Sequence, residues 1–382
     1  MAKQAYVYSG TDWVPLASEV TNLSGYQTKA LNQFAHRNLV INGDMQVAQR
    51  ATSVASITAA SYNTADRWQS VITTQGTWTQ SVENDAPTGS GFAKSLKMLC
   101  TTADASPAAG DLVQITQRIE GQNIQHIKKG TSAAEQITVS FWVKSNVTGT
   151  YIVELYDLDN TRSVSKSYTI NASATWEKET ITFPADTTGA FDNDNAGSLR
   201  LNFWLGSGTD YTSGTLATTW VATTNANRAV GQTNLASATN NYWQVTGVQL
   251  EVGDTATPFE FKSVEDELLE CQRYYFRFPA GESYQQFGVS YANSSSAVQG
   301  LVNAPVTMRS IPTSIDTGGT ISYFQFSNGA DYTMSSIAIA SGQLGTNVLR
   351  FSGSVSGATS GNPGWIRANN STSAFIGFSA EL

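Results

Sequence analysis

Charged residues are scarce in this chain, and basic residues are scarcer than acidic ones. Only 14% of the 382 residues are charged, the formal charge is −8 and the pI is near 4.9. Nucleic-acid binding needs a clustered Lys/Arg face, so we exclude nucleic acid as a partner. No run of 18 apolar residues occurs, and the N-terminus MAKQAYVYSGTDWVP has no signal-peptide core. We therefore expect a soluble protein made in a cytoplasm, without membrane insertion.

Cysteine and histidine, the usual residues of nucleophilic and zinc sites, are also rare. Cys100 and Cys271 are far apart and have no metal-ligand spacing, so we predict two buried free thiols. His36 lies at a segment junction and His126 in a polar stretch, which favours surface or packing roles. A Ser-His or Cys-His nucleophile needs its histidine within hydrogen-bond reach. The sequence therefore predicts no enzyme and no cofactor.

Gly, Ser, Thr and Asn are abundant and aromatics reach 10%, which is typical of short strands joined by polar turns. Nine strand candidates precede residue 253 without intervening helices, which indicates an all-β antiparallel sandwich. They are NLVIN near 38–42, DRWQSVIT near 66–73, FAKSLKML near 92–99, LVQITQRI near 112–119, QITVSFWVKS near 136–145, YIVELYD near 151–157, ETITFPA near 179–185, LRLNFWLG near 199–206 and WQVTGVQLEV near 243–252.

Four segments follow from the pattern. Residues 1–36 are predicted to form a β-hairpin and a short helix, and residues 37–262 a central sandwich. Residues 263–278 are predicted to be a connector helix that Ser263 caps and Pro279 ends, with Val264, Leu268, Cys271 and Tyr275 on its apolar face. Residues 279–382 return to strand-like runs and predict a smaller C-terminal β domain.

Two pairs of carboxylates are the visible candidates for glycan hydrolysis. Asp157 with Asp159 and Asp192 with Asp194 lie in DLDNT and FDNDN. Both stretches are typical of turns, where Asp and Asn bind the local backbone. Oxygen ligands cluster in FDNDN and in NGD at 42–44, so a structural calcium ion stays open as an alternative.

Strand alternation places polar and aromatic side chains together on an outer face. With Leu199, Leu201, Phe203 and Leu205 pointing inward, the residues between them point outward. If the strands share a sheet, this face has the chemistry of a sugar site, namely aromatic rings for stacking and fixed polar groups for hydroxyls. Packing against protein, including the loop 206–242, is the alternative. The predicted ligand-binding residues are Trp142, Tyr156, Arg200, Asn202, Trp204 and Glu251.

The runs HRNLVINGDMQVAQRAT, ADRWQ, QITVSFWVKS and NYWQVTGVQLEVGDTATPFEFKSVEDELLECQRYYF resemble the tail-fibre and related virion proteins of bacterial viruses. Between the NLVINGDM and VQLEVG runs, the chain is similar to carbohydrate-binding-module jelly rolls. The resemblance covers most of residues 37–278, and residues 279–382 match more loosely. It identifies no sugar-contacting residue.

The resemblance implies a non-catalytic receptor-binding protein of the virion, assembled in the host cytoplasm, that attaches to host surface polysaccharide. It also implies a homotrimer that is joined to another tail or virion protein through residues 1–36. Two alternatives remain open. One is a capsid or tail decoration or adaptor fibre without its own ligand binding, and the other is a fibre-borne polysaccharide depolymerase.

Overall fold

The structure is a computed structural model that describes residues 6–8, 13–15, 36–318, 320–340 and 345–382. Near the N-terminus, β1 (Tyr6–Tyr8) pairs antiparallel with β2 (Trp13–Pro15), the pairing expected of a hairpin. The short helix predicted around residues 20–34 lies outside the described residues. The rest of the described chain forms two β units, each around its own hydrophobic core.

The first unit is a jelly-roll sandwich of two antiparallel sheets, which confirms the predicted fold class. Its strands are β3 (Ser53–Ile57), β4 (Ser61–Tyr62), β5 (Gln69–Thr73), β6 (Thr77–Glu83), β7 (Ser95–Thr102), β8 (Leu112–Glu120), β9 (Ile137–Ser145), β10 (Gly149–Asp157), β11 (Arg162–Ile170), β12 (Glu177–Phe183), β13 (Gly197–Ser207), β14 (Val221–Ala222) and β15 (Tyr242–Val252). One sheet has seven strands in the order β14-β11-β10-β13-β8-β5-β4. The other has six, in the order β12-β9-β15-β7-β6-β3.

Strand alternation fills the space between these sheets, as period-2 patterning requires. Every second residue of β13, from Leu199 to Leu205, is fully buried. The indoles of Trp68, Trp78 and Trp243 complete the core and are also fully buried. Each places a large apolar surface between the sheets, where it stabilises the fold most.

The predicted strand NLVIN at 38–42 is wrong in its secondary structure. The Leu39 N–H donates to the Leu250 carbonyl at 2.8 Å, so the segment runs beside β15. Asn42 and Met45 have φ of 58° and 62°, which is incompatible with a regular strand. At Gly43 a Cβ atom would lie 2.1 Å from the Val248 carbonyl oxygen, so only glycine permits this approach.

The connector helix spans Val264–Gln272 and is shorter than predicted. The Ser263 hydroxyl accepts from the Asp266 N–H at 3.1 Å, which confirms the N-terminal cap. The helix does not reach residue 278, because Tyr275 begins a strand that pairs with the C-terminal strand. Its predicted apolar face is also partly wrong, since Val264 is exposed and Glu267 is buried beside Cys271.

The second unit contains a three-stranded and a seven-stranded antiparallel sheet. Its strands are β16 (Tyr275–Pro279), β17 (Gln286–Ala292), β18 (Ala297–Asn303), β19 (Ser314–Asp316), β20 (Phe324–Ser327), β21 (Asp331–Thr333), β22 (Ser336–Ile339), β23 (Val348–Ser354), β24 (Pro363–Ala368) and β25 (Phe375–Ser379). The small sheet has the order β16-β25-β19, and the large one the order β21-β20-β24-β17-β18-β23-β22.

Charged contacts tie the second unit to the first. Arg67 is fully buried and pairs with Glu381, next to the C-terminus. At the end of β8, the Glu120 carboxylate accepts from Arg273 at 2.8 Å and from the Tyr274 hydroxyl at 2.6 Å. The Arg309 guanidinium donates to the Asn195 carbonyl at 3.0 Å. These bonds place the C-terminal unit against one end of the seven-stranded sheet of the sandwich.

Candidate functional site

The structure divides the six predicted site residues between the two sheets of the sandwich. Trp142 lies on β9 and Glu251 on β15, both in the six-stranded sheet. The other four lie on β10 and β13 in the seven-stranded sheet: Tyr156, Arg200, Asn202 and Trp204. The outer faces of a sandwich point in opposite directions. The condition that all six share one sheet is therefore not met, and they do not form one site.

Glu251 has a structural environment on its own sheet. Its carboxylate accepts from the Thr257 N–H at 2.8 Å and from the Thr257 hydroxyl at 2.7 Å. The Gln249 amide donates to the same carboxylate at 2.8 Å. Glu251 is buried, and its hydrogen bonds hold the segment that follows β15 against the sheet. Its side chain is therefore not accessible to a ligand.

On the seven-stranded sheet, cross-strand register arranges the outward side chains in three rows. The first row runs Arg118, Arg200, Tyr156 across β8, β13 and β10. The second runs Gln69, Thr116, Asn202, Glu154 across β5, β8, β13 and β10. The third runs Gln114, Trp204, Ile152. Directly opposite side chains lie about 5 Å apart, so each row is a continuous strip of contacts.

The third row is covered. Residues 208–241, which we call the covering loop, contribute Tyr211, Leu216 and Ala229 to the packing over it, and Trp204 is fully buried. Trp204 packs in a small apolar cluster with Leu112, Ile152 and Ala229, and its ring lies 5.3 Å from the Tyr211 ring. For Trp204 the structure therefore shows packing against protein, the alternative that the sequence left open. No face of this indole is available to a sugar.

Glu154 joins the covered row to the middle row and is the centre of a buried hydrogen-bond network. Its carboxylate accepts from Asn202 at 2.8 Å, from the Trp204 indole at 3.1 Å, and from Arg228 Nε at 2.7 Å and Nη2 at 2.9 Å. Burial lowers the pKa of Arg228, but the Glu154 carboxylate outweighs burial and holds that pKa above its ordinary value. The forked ion pair fixes the covering loop to the sheet.

The first row remains partly accessible and is poorly paired. The Arg200 guanidinium lies 5.0 Å from the centre of the Tyr156 ring. Within the described chain, the side chains of Arg118 and Arg200 have no hydrogen bond or ion pair, and the Nε atoms of both are buried. Burial lowers the pKa of Arg200 to about 10, although Glu154 opposes this shift.

The middle row adds further polar atoms without partners. Among the described residues, Gln69 Oε1, Thr116 Oγ1 and Asn202 Oδ1 are buried and unbonded, as is Gln114 Nε2 beside them. Buried polar atoms are almost always hydrogen-bonded, so a concentration of exceptions on one face needs an explanation. Ordered water or a ligand with hydroxyl groups would supply the missing partners.

Part of this site was detectable in the sequence. In the predicted strand LVQITQRI, alternation with Val113, Ile115 and Ile119 directs Thr116 and Arg118 outward, beside the predicted face. Arg228 had no such signal, because it lies in the covering loop, whose path no period defines.

The carboxylate pairs that the sequence raised for hydrolysis lie elsewhere, at the end of β10 and in the loops that follow β10 and β12. Asp157 is fully buried and pairs with Lys129 at 2.6 Å, and Asp159 accepts from the Asp192 N–H at 2.9 Å. Asp194 accepts from the Ala196 N–H at 2.9 Å. Within the described ranges, no three acidic, histidine or cysteine side chains are placed to hold a metal ion. None of the helices in the described chain is long and apolar enough to span a membrane.

No family model matches this chain, and no curated protein has a significantly similar sequence. Solved structures share part of its strand arrangement. The enzymatically active domain of tailspike protein 4 of bacteriophage CBA120 covers 56% of this chain at 16% identity with a TM-score of 0.30. The match takes in only 21% of that tailspike chain, about a fifth of its length.

Carbohydrate-binding modules are also among the similar structures. A family 61 module in complex with β-1,4-galactotriose covers 57% of this chain and 99% of its own, at 9% identity and a TM-score of 0.29. A family 11 module from Clostridium thermocellum, bound to a β-1,3-1,4-mixed-linked tetrasaccharide, covers 53% and 99%, at 10% identity and a TM-score of 0.28. These are the kinds of protein that the sequence resembles. Likeness at this level does not establish a shared function.

Proposed function

We propose that this chain is a virion protein of a bacterial virus that binds host surface polysaccharide without cleaving it. The observation that supports binding is the accessible part of the seven-stranded sheet face, which we call the open row: Arg118, Arg200 and Tyr156. It combines a partly exposed aromatic ring, which can stack on a sugar, with two partly exposed guanidinium groups that have no hydrogen bond or ion pair among the described residues. The virion assignment rests on the sequence resemblance of residues 37–278.

The test is binding of the purified chain to an array of bacterial surface polysaccharides. Tyr156→Ala should weaken binding about two- to tenfold, because aromatic stacking contributes about 0.5–1.5 kcal/mol and 1.4 kcal/mol corresponds to a factor of ten. Trp142→Ala is the matched control, since Trp142 lies on the opposite sheet. Equal loss in both variants, or no polysaccharide bound at all, would contradict the proposal.

The absence of cleavage is a separate part of the proposal. Incubation of the chain with each bound polysaccharide should release no new reducing ends, even at high protein concentration. Release of reducing ends would favour the depolymerase alternative.

The adaptor alternative, and the trimer, draw support from a different surface. On the large sheet of the C-terminal unit, Val289 and Leu301 lie directly opposite each other, are 68% and 47% exposed, and neighbour the exposed Trp365. Exposed apolar patches often mark protein contacts. We infer that copies of this chain associate through this face, with residues 1–36 attaching to another virion protein. Light scattering should show an oligomer that Val289→Asp dissociates, whereas a monomer at all concentrations would contradict the inference.

A further inference from the structure

We propose that the open row selects an acidic polysaccharide, with Arg118 and Arg200 binding carboxylate groups of its sugars. This inference rests on the polysaccharide binding proposed above and adds the chemical class of the ligand. Arg118 and Arg200 lie directly opposite each other on adjacent strands. Like charges at directly opposite positions destabilise a sheet pair.

Among the described residues, no acid forms an ion pair or hydrogen bond with either of these two guanidinium groups. Glu154, the acid whose charge acts on Arg200, is bonded to Arg228 and Asn202. Glu120 follows Arg118 on the same strand, but it is bonded to Arg273 and Tyr274. Within the described chain, no acid is therefore bonded to the open row, and an acidic ligand would supply the counter-charge.

The desolvation of these side chains makes the missing counter-charge more costly. The Nε atoms of both arginines are buried and have no hydrogen-bond partner among the described residues, and burying an uncompensated charged group is costly. A guanidinium presents a planar fork of donors that matches a carboxylate with two parallel hydrogen bonds. Binding a carboxylate would therefore supply both the missing charge and the missing acceptors.

Tyr156 completes the arrangement for a sugar. It is the cross-strand neighbour of Arg200, so a ring stacked on the tyrosine would bring its substituents next to that guanidinium. Neighbouring strands lie about 4.8 Å apart, so Arg118 on β8 lies one strand spacing beyond Arg200 in the same row.

General attraction does not explain such a preference, because the chain carries a formal charge of −8. An acidic polymer is repelled by most of this surface, and selectivity has to come from the open row itself. Its contribution should weaken as salt screens the charges.

The experiment uses an array of polygalacturonate and bacterial capsular polysaccharides. Each is present as the native acid and as its carboxyl-reduced, uncharged counterpart, called its twin. The full chain should bind at least one native acid about tenfold more tightly than its twin, since a charge-assisted pair exceeds a neutral one by about 1.4 kcal/mol or more. Arg118→Gln and Arg200→Gln should remove that preference and keep the weaker binding to the twin.

Lys178→Gln is the matched control, because it removes the same charge from an exposed position on the opposite sheet. It should leave the preference intact. If Arg200→Gln does not fold, Arg200→Lys keeps the charge without the fork and should reduce the preference in part.

Equal binding of acids and twins by the unaltered chain would overturn this inference, as would a preference that survives both arginine substitutions. In those cases Tyr156→Ala would still weaken binding, and the proposed function would stand for a neutral glycan. Failure to bind any of the printed polysaccharides would instead count against the proposed function and this inference together.

Discussion

The part of the seven-stranded sheet face under the covering loop, around Glu154 and Trp204, is called the covered part. It shares this face with the open row, but the buried polar groups of the two parts are paired differently. In the covered part, Glu154 satisfies Asn202 Nδ2, the Trp204 indole and Arg228 with short hydrogen bonds. In the open row, Arg118 and Arg200 have no such acceptor among the described residues. The comparison separates a part of the face that stabilises the fold from a part that is costly unless something binds there.

Removing the covered indole should have the largest effect. Trp204→Ala leaves a cavity under the covering loop and should lower the free energy of unfolding by about 3–5 kcal/mol, measured by urea denaturation. Trp142→Ala, on the half-buried position of the other sheet, should cost clearly less. Similar losses in both variants would mean that the loop does not pack on Trp204 as the structure describes.

Glu267 is a buried acid that, unlike Glu154, has no ion pair among the described residues. Glu267 in the connector helix accepts from the Asn42 N–H, and burial raises its pKa to about 7 despite the opposing charge of Lys262. The folded state therefore keeps a proton that the unfolded state loses near pH 4.5.

The sign follows from this difference in bound protons. Between about pH 4.5 and pH 7, this group should lower stability progressively as pH rises, by about 3 kcal/mol in total. Glu267→Gln keeps an acceptor for Asn42 and should remove this part of the pH dependence, so that it stabilises the protein most above pH 7. Parallel stability curves for the variant and the unaltered chain from pH 5 to pH 8 would contradict the pKa.

Removing charge from the buried pair should have a smaller effect than removing Trp204. Glu154→Gln keeps side-chain polarity but leaves Arg228 without a counter-charge, which should cost about 1.5–3 kcal/mol in the free energy of unfolding. Glu135→Gln is the control, because its pair with Lys128 is exposed and should contribute about 1 kcal/mol at most. A negligible loss for Glu154→Gln would remove the distinction between the paired and unpaired parts of the face.

The smallest stability effect is expected in the open row. Tyr156→Ala should change the free energy of unfolding by about 1 kcal/mol or less, because the ring is only half-buried, while polysaccharide binding falls about two- to tenfold. Calorimetric melting and binding are measured on the same preparation. A melting point lowered as far as that of Trp204→Ala would place Tyr156 in the packed part of the face.

Local patterns in the sequence predicted much of this structure. Alternation in LRLNFWLG identified the inward residues of β13 and directed Arg200 to the outer face, where it lies. Ser263 marked the start of the connector helix correctly. These features depend on neighbours within a few residues, and their periods are visible in any short window.

The errors share a different origin. Tyr275 fits a helical spacing, yet it forms a strand because β25 offers a pairing partner about 100 residues later in the chain. β6 and β11 were not predicted, and their strand structure depends on neighbours in their sheets. The first run NLVIN is irregular because it has to approach β15 at Gly43.

By itself, the sequence determined that the chain is an all-β protein, which residues of each strand share a face, and where the connector helix begins. Only the tertiary structure decided that Trp142 and Glu251 lie on a different sheet from Arg200, and that the covering loop buries Trp204 while Tyr156 stays accessible. The reason is physical. Side-chain direction repeats every two residues along a strand, whereas sheet membership and loop cover arise from contacts between segments that are distant in the chain.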